Sequence, residues 1–216
     1  MPVLLHIDSS PMGEGSITRH LTREFVKLWQ RANPEGVVVT RDLTKTAIPV
    51  IDAEWVAANY TPSESRSPRQ HAILALSTVL TDELLSAGEC VIGVPMHNWG
   101  PSSSFKLWVD QVVRFGETIA LTPSGMHGTL DDKRITLFVA AGRNYGRYSV
   151  DAARNHLEPW LRTFFGNLGV RDLQLNFVDG TVETKQGRID RETFLAPYLE
   201  AMQSLFAEAL SSSTPP

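Results

Sequence analysis

Short apolar runs alternate along this chain with longer stretches that are apolar on one side only, and that alternation leaves few folds open. The strand-like runs are Pro2 to Ile7, Val37 to Arg41, Val91 to Val94, Ile135 to Ala141 and Leu173 to Val178. Several are apolar at successive positions, so both of their faces need cover. Between them lie stretches with helical spacing. Ser16 to Arg31 places Ile17, Leu21, Phe25 and Leu28 on one side. Pro68 opens a stretch with Ile73, Leu76, Leu80 and Leu84 aligned, ending near Gly88. Asp52 to Asn59, Phe105 to Phe115, Leu157 to Phe165 and Arg191 to Leu210 are read as further helices.

Strands buried on both faces and separated by helices imply an α/β protein with a five-stranded parallel sheet covered on both sides. The number and order of elements suit a flavodoxin-like, doubly wound sheet of order 2-1-3-4-5. A chain of 216 residues suits one such domain. It is expected over residues 1–210, with residues 211–216 (SSSTPP is the closing sequence) as a frayed tail. In such sheets ligands sit at the carboxyl ends of the strands, where the order reverses. The loops after the first, third and fourth strands are therefore the ones that matter.

The loop from Ser9 to Thr18 carries hydroxyls at Ser10, Ser16 and Thr18 and runs into a helix start. Free N–H groups and a partial positive charge there suit a phosphate; Ser16 serving only as a helix cap is the simpler alternative. No GxGxxG or Walker pattern is present, which argues against a dinucleotide crossing this turn and against ATP. The loop from Val94 to Lys106 gathers Met96, His97, Asn98 and Trp99 directly after a central strand. An isoalloxazine needs polar groups along its pyrimidine edge and flat apolar surface for its rings, and these residues meet both needs. A hydrophobic cap on the next helix would look similar. In the loop from Ala140 to Tyr148, Gly142 permits close backbone approach, and Arg143 and Tyr145 can reach a ligand; a solvated turn is the alternative.

Other classes fit poorly. The net charge is -4, without the clustered Lys and Arg of a nucleic-acid surface. No apolar run has the length of a membrane span, and the opening MPVLLHIDSS has neither the basic flank nor the length of a signal peptide, so a cytoplasmic protein is expected. The lone Cys90 excludes a disulfide within one chain and reads as a buried, inert thiol. The scattered histidines form no HExxH pair, so no metal is expected, and no GxSxG elbow marks a serine hydrolase.

Taken together the chain resembles the FMN-dependent NADH-azoreductase family of the flavodoxin-like NAD(P)H:quinone oxidoreductase group, over nearly its whole length. Ser9, Ser10, Ser16 and Thr18 match the family's opening loop. Thr40 to Leu43 and Ile48 to Val50 are close to its VRDL and IPV, and Ser67 to Gln70 and Ala72 to Ser77 to its TPRQ and ALALS. Its PMYNF becomes Pro95, Met96, His97, Asn98 and Trp99. Phe105, Lys106, Asp110, Val113, Arg114 and Gly116 follow its next pattern, and Pro159, Trp160, Leu161, Phe164, Gly166 and Gly169 the one after. The family's SRGG is replaced by Ala140, Ala141, Gly142 and Arg143, and the stretch up to Asn155 is longer than usual.

The resemblance implies phosphate contacts at Ser10, Ser16, Ile17 and Thr18, ring contacts from Met96 to Trp99, and further contacts from Ala140 to Arg143. It implies hydride transfer from NADH or NADPH to a quinone or azo acceptor, in a homodimer; because the three loops lie at one end of one sheet, donor and acceptor are expected to visit in turn. The flavin carries that chemistry, so no side chain is needed as catalyst. Asn98 and backbone N–H groups would favour the reduced ring, and His97 is a candidate proton source if it faces the pocket. Two rivals remain at this level. One is a flavodoxin-type electron carrier without an organic substrate, for which the segment between the second and third strands is long. The other is a receiver-like phosphate-binding module, which would want an acidic cluster where only Asp8 adjoins the first loop.

Overall fold

The computed structural model describes the backbone of residues 1–212 and the side chains of residues 1–208. In chain order the elements are β1 (Val3–Asp8), α1 (Ile17–Ala32), β2 (Val37–Asp42), α2 (Ala53–Tyr60), α3 (Pro68–Ser86), β3 (Glu89–His97) and β4 (Gly100–Pro101). Then follow α4 (Ser103–Val112), β5 (Ile119–Thr122), β6 (Gly125–Gly128), β7 (Arg134–Ala140), α5 (Leu157–Asn167), β8 (Asp172–Val178), α6 (Val182–Lys185) and α7 (Arg191–Ser212). Helix α7 takes in the first two residues of the expected tail, and residues 213–216 lie outside the described residues.

The main sheet runs β2-β1-β3-β7-β8, every pair parallel. This is the flavodoxin-like order expected from the sequence. The register sets Asp8 beside Gly93, Gly93 beside Phe138, and Pro95 beside Ala140. The carboxyl ends of β1, β3 and β7 thus form one continuous edge.

Alternation along the strands divides the core in two. Leu5, Ile7, Ile92, Val94, Leu137 and Val139 face α3, α4 and α5, where Leu80, Trp108 and Phe165 meet them. Leu4, Val91 and Phe138 face α1 and α7, which supply Leu21, Phe25, Trp29 and Met202. Helices α1, α2 and α4 start where a short polar side chain takes an N–H of the first turn: Ser16 accepts from Arg19, Asp52 from Trp55, and Ser102 from Phe105. Ser67 forms a full capping box with Gln70, ahead of Pro68 at the first helical position. Cys90 is buried in β3, and burial pushes its thiol up to about 12, as suits an inert thiol.

Two elements depart from the sequence reading. Strand β3 runs on to His97 instead of stopping at Val94, because its last residues pair back antiparallel with β4. The fourth helix begins at Ser103 and ends at Val112, and Ile119 to Gly128 forms the β5–β6 hairpin, which the sequence reading passed over. That hairpin packs on the end of α5, where Leu130 N–H donates to Leu168 O at 2.9 Å.

The seam between β6 and α5 has no room for side chains. A Cβ on Gly128 would lie 1.8 Å from the Leu168 carbonyl carbon and 2.2 Å from Gly169 N. Gly128→Ala should therefore cost at least about 3 kcal/mol in urea denaturation. Gly88→Ala, where nothing lies within 4 Å, is the control and should change stability by less than about 1 kcal/mol. Equal midpoints for the two variants would show that the seam yields freely.

Candidate functional site

Ser9 joins the first two loops. Its Oγ donates to Gly93 O at 2.7 Å, and its own carbonyl accepts from Ser102 Oγ at 3.2 Å and Ser104 Oγ at 3.0 Å. The turn after β1 is therefore tied both to β3 and to the start of α4. Gly93 makes the approach possible: a Cβ there would sit 3.2 Å from both Asp8 Oδ1 and Thr18 Cβ. The first turn of α1 can thus rest directly on β3.

The hydroxyls singled out in the sequence converge. Ser16 Oγ and Thr18 Oγ1 are 3.1 Å apart, and Ser16 Oγ also caps Arg19 N–H at 3.2 Å. Ser10 Oγ accepts from Met12 N–H at 3.4 Å. All three side chains are buried, and Ile17, half-buried, is the first residue of α1. Both readings of Ser16 therefore hold at once: it caps the helix and it stands among a cluster of hydroxyls. The N–H groups of the first turn have no intrahelical acceptors, so a helix dipole and clustered hydroxyls meet at one point. That chemistry fits a phosphate.

Two arginines, neither picked out in the sequence, hold the turn by its carbonyls. Arg19 Nε donates to Ser10 O at 2.7 Å, while its other nitrogens reach Asp8 Oδ2 at 3.3 Å and both oxygens of Asp42 at 2.7 and 2.9 Å. Burial alone would raise the Asp42 carboxyl, but the hydrogen bonds from Arg19 and Thr44 override it and hold it well below the usual carboxylate range. Asp8, the acid beside the turn, is also taken up by Thr22 Oγ1 at 2.9 Å. From the far end of the chain, Arg191 donates to Glu14 O and Ser16 O.

The second loop is a two-residue hairpin. Met96 pairs with Pro101 and His97 with Gly100, so Asn98 and Trp99 form its tip. Both have positive φ, 48° and 66°, the combination a tight hairpin of right-handed twist requires. Asn tolerates that region, but Trp is strained there by an amount on the order of 1 kcal/mol or more. Met96 is half-buried against the core, His97 and Asn98 are exposed, and Trp99 is 49 % exposed. His97, Asn98, Lys106 and Trp160 line an open cleft of about 480 Å³. The tip thus presents an amide and an indole to the space above the sheet edge.

The third loop is adjacent to the other two. Ala140 is half-buried, Ala141 buried and Gly142 exposed. Their carbonyl groups turn toward the β8–α6 connection: Thr181 N–H donates to Ala141 O, Val182 N–H to Gly142 O and Gly180 N–H to Arg143 O. The exposed Arg143 pairs with Asp151 at 2.8 Å, and Arg154 shares that carboxylate. Tyr145 is buried. Burial raises the Asp179 carboxyl, opposed by hydrogen bonds from the backbone of Tyr145 and Gly146. The structure therefore brings Ser10, Ser16, Ile17 and Thr18 together and sets the Met96–Trp99 hairpin beside them, while Arg143 is engaged by Asp151. Serines 9, 102 and 104 were passed over as site-builders because their partners lie more than 80 residues away.

The family model described as having a flavodoxin-like fold matches residues 3–204. An FMN-dependent NADH:quinone oxidoreductase from Burkholderia lata is 54% identical over 94% of this chain and 99% of its own length. A protein of the same description from Acidobacterium capsulatum is 42% identical over 96% of this chain and 100% of its own. Among solved structures, an azoreductase from Bacillus anthracis str. Sterne superposes with a TM-score of 0.84 at 20% identity, covering 96% of this chain and 100% of that one, a likeness of fold. Identity of this extent over nearly the whole length of both chains makes this chain a member of the flavodoxin-like FMN-dependent NADH:quinone oxidoreductase family.

Proposed function

We propose that this protein is an FMN-dependent oxidoreductase that transfers hydride from NADH to a quinone or azo acceptor. The observation that carries this reading is the 54% identity with a quinone oxidoreductase over 99% of that relative. The site supports it independently. A hydroxyl cluster at a helix start, without a dinucleotide fingerprint, suits a single phosphate, as in FMN.

In this reading Ser10, Ser16, Ile17 and Thr18 hold the phosphate, and Met96, His97, Asn98 and Trp99 border the ring. Ala140, Ala141, Gly142 and Arg143 close the third side, with Arg143 reaching the site only if it leaves Asp151. FMN, when bound, supplies the hydride acceptor and donor of the reaction. The chain's own part is placement. The Asn98 amide would hydrogen-bond the polar ring edge, and the strained hairpin holds Trp99 on its tip beside it. His97 is exposed and water reaches it, so the proton for the acceptor comes from solvent directly or through its imidazole. A flavodoxin-type carrier would need a protein partner for turnover, whereas this reading requires NADH oxidation with quinone alone.

The protein should purify yellow and release FMN, not FAD. Ser16→Ala and Thr18→Ala should each weaken FMN binding by roughly 1.5–3 kcal/mol, the scale of a hydrogen bond to a charged group. Unchanged FMN affinity in both would reduce the turn to a helix cap.

The three loops share one end of one sheet, so donor and acceptor must use one open face. Hydride transfer needs reacting atoms within ~3–3.5 Å, and two flat molecules cannot both take that position. Steady-state rates with NADH and menadione varied together should give parallel double-reciprocal lines; intersecting lines would mean that both bind at once.

We also propose a homodimer. Trp99, Tyr148 and Val150 are exposed apolar side chains on the loops after β3 and β7, the kind of surface enriched at interfaces. The segment from Trp160 to Phe165 offers less free apolar surface. Phe165 is fully buried, and Trp160 and Phe164 stack 5.8 Å apart, half-buried against Phe105 and Trp108. Light scattering at micromolar concentration should give twice the chain mass, and a fully active monomer would contradict this.

A further inference from the structure

Arg191 opens the last helix, yet its guanidinium is spent on the turn after β1, some 175 residues earlier in the chain. Nη1 donates to Glu14 O at 3.0 Å and Nη2 to Ser16 O at 2.7 Å. One planar, doubly donating group thus spans the two carbonyls that flank Gly15 and Ser16, a task suited to a rigid fork. No other contact between α7 and this turn has comparable reach among the described residues.

The consequence follows from peptide geometry. The Ser16–Ile17 bond is trans, like every peptide bond in the described chain, so its C=O and N–H point in opposite directions. Ser16 O points down the helix, accepting from His20 N–H at 3.3 Å and from Arg191. Ile17 N–H therefore points out of the open end of α1, beside the hydroxyls of Ser16 and Thr18. Fixing the carbonyl fixes the direction of the N–H.

Charge gives a second reason. The other arginines around the turn are neutralised: Arg19 pairs with Asp8 and Asp42, and Arg23 with Glu14. The Glu14 carboxylate feels the charge of Arg191 but is bonded to Arg23, and among the described residues Arg191 itself makes no ion pair. It is half-buried, where solvent screens that charge less than it would at the surface.

We propose that Arg191 is a positioning residue for the cofactor's phosphate: it locks the Ser16–Ile17 peptide with its N–H directed at the phosphate and supplies the unpaired positive charge at that turn. The proposal rests on the FMN reading above. It couples the docking of α7 to cofactor loading without requiring Arg191 to touch the cofactor.

The test compares FMN with riboflavin, which lacks the phosphate. Apo-protein stripped of flavin is titrated with each ligand and binding is read from quenching of flavin fluorescence. Arg191→Ala should weaken FMN binding by about tenfold and leave riboflavin affinity within about twofold, so the ratio of the two constants moves. Arg191→Lys keeps the charge but cannot span both carbonyls, and its FMN affinity should fall between wild type and Arg191→Ala. Unchanged FMN affinity in Arg191→Ala would overturn the proposal. So would equal weakening of FMN and riboflavin, which would mean that Arg191 merely holds α7 in place. Failure of the wild-type apo-protein to bind either flavin would instead overturn the FMN reading itself.

Discussion

The upper edge of this molecule is organised by the absence of a side chain at Gly93. The first turn of α1 must lie close against β3, and any Cβ at that position would press on Asp8 and Thr18. Close packing then brings the polar groups of the turn within reach of β3 and α4, so that Ser9, Ser102 and Ser104 can be satisfied inside the protein. Buried hydroxyls without such partners would carry a real cost. The turn is therefore held by a dense set of hydrogen bonds and not by apolar packing alone. A helix N-terminus with its donors fixed in direction is what an anion needs.

The neighbouring hairpin is fixed by a different device. Asn98 and Trp99 both occupy left-handed backbone, and the second of these is unfavourable for a bulky residue. The strain is sustained because β3 is central in the sheet, paired on both sides, and its extension past Val94 leaves the hairpin few other ways to close. An indole presented on a rigid two-residue tip has less conformational freedom to lose on binding than one on a mobile loop.

Much of this fold was legible because its strands are apolar on both faces, a pattern that few architectures other than a covered parallel sheet can use. The hydroxyl cluster was legible too, since Ser10, Ser16 and Thr18 lie within one short stretch. What escaped had no local signature. Strands β5 and β6 are mostly exposed, so the residues from Ile119 to Gly128 carry no alternation to read. The turn of β3 into β4 was hidden because its second central position, where a Gly usually marks such a hairpin, is taken by Trp99. Arg19 and Arg191 look like ordinary surface charges on helices, and only the tertiary structure discloses that both end on carbonyls of the same turn.

The two ends of the proposed site are consequently built with unequal tolerance to change. At the phosphate end, Ser9, Ser102, Ser104 and Arg191 tie the turn to partners far away in sequence, so a substitution there disturbs several elements together. On the loops after β3 and β7, Trp99 and Tyr148 are exposed, and exposed positions outside such networks change stability by only about ±0.5 kcal/mol. The loop after β7 illustrates the difference. It has Ala140 and Ala141 where the related pattern has Ser and Arg, and its arginine is drawn to Asp151, yet its carbonyls still bond to the β8–α6 connection. In the proposed reading, changes in the loop after β7 would act on the acceptor and leave the turn that would anchor the cofactor unchanged. That separation follows from where the hydrogen bonds lie, and it permits one scaffold to hold the same redox group against different partners.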